Sequence, residues 1–184
     1  MKKSFDYFKT LKEMSRINRS VFSAVASGKD YNFHTVSFYG CRYELLQRLS
    51  EDFVAPIERS EIYNLTYSLY NQLCKLTILA DVSDGAVGLT NEHISAFDGL
   101  FSVQGNVLLA LGQKSDYASS IKLCRQAQQQ LLTLKRSIVA YMFNGLSSSK
   151  QPLYRCVVLN CVADFCDSIN NTLSVCERGF INNI

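Results

Sequence analysis

Apolar residues recur along this chain at three- and four-residue steps in six long segments, the period of one buried face of an α-helix. In the first, from about Ser4 to Ser27, Phe5, Phe8, Leu11, Met14, Ile17, Val21 and Val25 form a stripe, and Gly28 supplies a C-terminal stop. The second runs from about Tyr31 to Val54 with Leu45, Leu46, Leu49 and Phe53 inward. Pro56 ends it, because the residue before a proline disfavours helical dihedrals. The third starts near Glu58, with Glu58 and Glu61 set against the positive end of its dipole. Its stripe is Ile62, Leu65, Leu69, Leu73, Leu76 and Leu79.

Asn91 is the expected cap of a fourth helix that carries Ile94, Phe97, Leu100, Phe101, Val107, Leu108 and Leu111 and stops at Gly112. Ser115 or Asp116 caps a fifth, which runs to Asn144 before Gly145. Pro152, tolerated in a first turn, opens a sixth that reaches about Arg178. Segments of roughly 22–30 residues give rods about 33–45 Å long, which pack as an antiparallel bundle. A long helix, a proline-containing connection and another long helix occur in both halves. The expected architecture is therefore all-α, six long antiparallel helices in two three-helix bundles packed side by side. It forms one domain of 184 residues with halves near 1–86 and 87–184.

Composition agrees. With 47% hydrophobic residues, 19% charged and two prolines, the chain is neither disordered nor collagenous, and it has too few turn residues for a β-sandwich. A net charge of +3 is too small to imply a nucleic-acid partner. The longest apolar run, Leu100 to Leu111, is interrupted by Gln104, Gly105 and Asn106, which argues against a membrane span, and the expected location is cytoplasmic. Seven cysteines in an odd set without C-x-x-C spacing read as free thiols in a reducing compartment.

One block is more specific. RLSEDFVAPIERSEIYNLTYSLYNQL, Arg48 to Leu73, resembles PhoU-like proteins of the branch that accompanies low-affinity inorganic phosphate transporters, through Leu49, Phe53, Val54, Pro56, Ile57, Glu58, Arg59, Glu61 and Ile62 in order. VADFCDSINN, Val162 to Asn171, is similar to the last helix of that family. The resemblance implies a pair of three-helix bundles and a role as regulator or accessory of phosphate transport, peripheral to the inner face of the membrane. It also implies metal clusters held by carboxylate pairs at i, i+4 on the second and third helices of each bundle. In the register set by Pro56, Thr35 and Tyr39, Tyr70 and Cys74, and Asn160 and Asp164 stand at those positions. Only one is an acid, and no Asp or Glu lies between Asp116 and Asp164. No cofactor is expected, with Asn160, Asp164 and Cys74 as residual candidates for a single ion.

Other chemistry is sparse. Tyr63, Tyr67 and Tyr70 recur on a side of the third helix distinct from its leucines and are candidates for a partner interface. Lys122 and Arg125 open an acid-free stretch that also holds Lys135, Arg136, Lys150 and Arg155, a local positive field. His34 and His93 have no adjacent nucleophile and acid, and His93 reads as an exposed first-turn residue, so an enzyme is not expected. The leading expectation is a non-enzymatic accessory of a phosphate transporter. The alternative is a diverged bundle that self-associates or acts as a scaffold.

Overall fold

The computed structural model describes residues 5–51, 55, 57–83, 87–113, 116–144 and 152–183. They form six α-helices: α1 Tyr7–Ala26, α2 Asn32–Ser50, α3 Arg59–Ser83, α4 Asn91–Leu111, α5 Tyr117–Asn144 and α6 Pro152–Ile181. Among the described residues there is no strand. Asp6 caps α1 through Lys9 N–H, and Asp116 accepts from Ser119 N–H at the start of α5. α2 ends at Ser50, short of the expected Val54, and Pro56 lies outside the described residues, as do Ser115 and Gly145.

The halves are two three-helix units, α1–α2–α3 and α4–α5–α6, joined along two seams. α1 runs antiparallel to α4, with Arg19 against Asp98 and the Lys12 stem across Gly105. α3 runs antiparallel to α6, with Ser68 on Thr172 and Lys75 on Asp164. The four inner helices thus share one core, flanked by α2 on one side and α5 on the other, and buried apolar residues run unbroken across both halves. Phe22, Phe97, Phe101 and Phe165 meet where α1, α4 and α6 converge, with ring centroids 4.7–6.1 Å apart.

α4 is long and apolar enough to cross a membrane by length and composition, yet it lies against α1, α5 and α6. Gln104 and Gly105, which interrupt its apolar run in the sequence, are buried. Asn18, Gln72, Gln104 and Thr172 each replace one apolar residue in the stripe of α1, α3, α4 and α6, and the bundle brings them into one layer. Gln72 Nε2 donates to Gln104 Oε1 at 2.8 Å and to Thr172 Oγ1 at 2.5 Å; Gln104 Nε2 donates to Ser15 Oγ at 2.8 Å. Asn18 Nδ2 donates to the Leu69 carbonyl at 2.9 Å, while its buried Oδ1 has no partner among the described residues.

Candidate functional site

The surface that stands out is aromatic and spans α2 and α3. The tyrosine stripe of α3 is turned away from the core: Tyr63 and Tyr67 are 43% and 67% exposed, and Tyr70 is half-buried. Tyr70 reaches α2, where Tyr39 lies at a centroid distance of 6.2 Å and the Arg42 guanidinium sits 4.6 Å over its ring. The buried Nε of Arg42 has no hydrogen-bond partner among the described residues. The Tyr70 phenol is pushed above its ordinary value, first by hydrogen bonding with the Cys74 thiol, one turn on, and then by Tyr39. On α2 the aromatic surface continues through exposed Tyr43, Val36 and Phe33.

This face is open because α2 leans on α1 and only brushes α3, whereas the corresponding pair in the other half, α5 and α6, is packed along its length. Gln128 bonds Ser174 at 2.9 Å, Arg125 pairs with Glu177 at 2.7 Å and Lys135 with Asp167 at 2.6 Å across that second seam. The positive field expected from α5 is therefore partly neutralised by α6 acids. Lys122 and Arg125 are exposed, but α5 touches neither α2 nor α3. The structure does not join the two sets of partner-binding candidates.

The metal candidates separate as well. Asp164 is engaged by Lys75 at 3.0 Å, Cys74 by Tyr70, and Asn160 is exposed. Among the described residues no group of three or more His, Cys, Asp or Glu is placed to hold a metal ion. At the positions where the resemblance implies a cation cluster, threonine, tyrosine, cysteine, asparagine and a single aspartate paired with Lys75 leave too few hard oxygen donors and no surplus negative charge; the residues present do not fit that group.

His93 corrects an expectation. Thr90, not Asn91, caps α4, and His93, one turn before the buried Phe97, faces inward and is 7% exposed. Its Nδ1 accepts from Thr90 N–H at 3.4 Å, so the neutral ring carries its proton on Nε2, which faces Ser137 Oγ at 3.3 Å. A general base would need a lone pair at that nitrogen, so this tautomer cannot accept the Ser137 proton. Cys74, in turn, is half-buried beside Tyr70 and not in the leucine core. Sequence reasoning found the α3 tyrosines but missed Tyr39, Arg42 and Tyr43; an apolar step through Phe33, Val36 and Tyr43 opposite Leu45 and Leu49 was the available signal. No family model matches the chain, and no curated protein matches it.

Proposed function

We propose that this chain is a non-enzymatic, PhoU-like accessory of inorganic phosphate transport that acts by protein–protein contact at the cytoplasmic face of a transporter. One observation carries the contact: a run of large aromatic side chains turned to solvent on the adjacent helices α2 and α3. Water penalises so much exposed ring surface, and soluble proteins leave patches of this kind where a partner covers them. Tyrosine suits such a surface because it buries a large ring, loses little rotamer entropy and keeps a polar tip.

The transporter as partner rests on the Arg48–Leu73 resemblance. Within that block Leu49, Ile57 and Ile62 are buried and Glu58 and Arg59 exposed, while Phe53, Val54 and Pro56 lie outside the described residues. The closeness of Tyr39, Tyr70 and Cys74 supports the same register, since the resemblance makes these positions of α2 and α3 face each other. The metal-dependent part of the family's role is not carried over.

The test is co-purification of a detergent-solubilised inorganic phosphate transporter from the same genome with the wild-type chain and with Tyr63→Ala/Tyr67→Ala. Retention by the wild type and loss in the folded variant is expected. No retention, or equal retention by both, overturns the reading.

A further inference from the structure

The outer side of α2 is apolar, and none of the described residues covers it. Phe33, Val36, Gly40 and Tyr43 follow one another at three- and four-residue steps, on the side opposite the buried Phe38, Leu45 and Leu49. Phe33, Val36 and Tyr43 are 79%, 71% and 72% exposed. α2 is thus apolar on two opposed faces, and the bundle uses only the inner one. Gly40 stands in the middle of the outer ridge, with nothing within 4 Å of the place its Cβ would occupy. A glycine inside a helix weakens it, and no close contact in the bundle requires this one. Its benefit is a backbone that a second helix can approach closely.

We propose that this ridge is the centre of an antiparallel homodimer, in which α2 of a second copy crosses at Gly40. The ridge is complementary to itself about its own midpoint. At its start stand Lys29 and Asp30, at its end Arg48 and Glu51, all four exposed. Antiparallel crossing sets Lys29 of each copy beside Glu51 of the other, and Asp30 beside Arg48, so the same pairs form twice about a two-fold axis. The two helix dipoles then oppose, with Glu51 near the partner helix's N-terminus and Lys29 near its C-terminus. Between the charged ends the ridge itself is apolar, with the exposed Glu44 on its margin, one turn from Gly40.

The area suffices. At their observed exposures Phe33, Val36, Tyr39 and Tyr43 offer on the order of 500 Å² per copy, hence about 1,000 Å² in a pair before the polar margin is counted, the threshold for a specific interface. Each end carries one cation and one anion, Arg48 and Glu51 being 3.4 Å apart within the chain, and the antiparallel crossing brings the two ends together with opposite charges side by side. The ridge shares Tyr39 and Tyr43 with the aromatic surface assigned to the transporter, and Tyr63 and Tyr67, on α3 outside the crossing, separate the two tests.

Sedimentation equilibrium of the full chain tests it with two ridge variants. Gly40→Leu places a bulky group at the crossing while favouring the helix, and Val36→Glu buries a charge there. The wild type sediments as a dimer at micromolar concentration, and each variant dissociates at least roughly tenfold more readily with unchanged circular dichroism. Lys29→Glu and Glu51→Lys each weaken the dimer, and the double reversal restores it. Tyr63→Ala/Tyr67→Ala leaves it intact. A wild type that stays monomeric, including one that takes a foreign partner on this ridge, overturns the proposal. So does a dimer indifferent to Gly40→Leu and Val36→Glu.

Discussion

Gln72 and Gln104 face each other across the centre of the bundle and exchange amide hydrogen bonds, Gln72 Nε2 to Gln104 Oε1 at 2.8 Å and Gln104 Nε2 to Gln72 Oε1 at 3.3 Å. One comes from each half of the chain, and both are fully buried. A leucine at either site would pack in any of several registers; a paired amide is satisfied in one. The pair therefore fixes how the two three-helix units slide against each other, the role best attested for single polar residues in helical seams.

Breaking the pair strips the surviving buried amide of part of its hydrogen bonding: Gln72 keeps Thr172 and Asn18, Gln104 keeps Ser15. Gln104→Leu is expected to cost roughly 1–3 kcal/mol in urea denaturation, and Gln72→Leu the same. The double variant costs less than the two together, because each single change already forfeits the shared bonds. Additive losses would show that the pair does not act as a unit.

His93 makes stability depend on pH. Burial lowers its pKa below the ordinary imidazole value of 6.5. The unfolded chain therefore takes up the proton first, so this contribution is complete above that value and is lost as pH falls through it toward the lowered one. Melting temperature should drop more between about pH 7.5 and 5 in the wild type than in His93→Gln. Equal slopes would contradict the buried neutral ring.

The thiols divide by depth. Burial pushes Cys124 and Cys166 up to about 12 and Cys176 well above its ordinary value, so all three stay protonated in the native protein. With Ellman's reagent at mildly alkaline pH only the half-buried Cys41, Cys74, Cys156 and Cys161 should react, and all seven in denaturant. Because the unfolded chain loses these protons first, stability should also fall as pH rises through about 9. Rapid native labelling of Cys176 would refute the packing of α6.

Two glycines should respond with opposite sign. A Cβ on Gly112 would strike the Phe8 ring, so Gly112→Ala should destabilise by about 1–3 kcal/mol. Gly99, inside α4, has nothing within 4 Å of its Cβ position, and Gly99→Ala should stabilise by about 0.5–1 kcal/mol. Thermal unfolding of both variants checks the docking of α1 on α4.

The helices were legible because stripes such as Leu11, Met14, Ile17 and Val21 have a single period, and all four are buried. What the sequence hid had physical reasons. Reading a stripe selects apolar residues, so Asn18, Gln72 and Gln104 passed as gaps when each holds a seam position. α2 is apolar on opposite faces, so its periodicity cannot say which face is the core; the inner face was read and the outer one missed. His93 lies one turn before Phe97 on the buried face of α4, and reading it as an exposed first-turn residue overlooked that spacing. The acid-free run of α5 looked strongly cationic only because Glu177 and Asp167, which meet Arg125 and Lys135, are distant in sequence. The tyrosine stripe of α3 was visible, but its continuation onto α2 through Tyr39 exists only in space.

The claim that the aromatic surface serves phosphate transport is tested most directly by labelled phosphate uptake in cells lacking this chain and complemented with it. Wild-type protein should restore the uptake that deletion alters, and Tyr63→Ala/Tyr67→Ala, expressed and folded to the same level, should not. Uptake untouched by deletion, or restored equally by the tyrosine variant, would contradict the account.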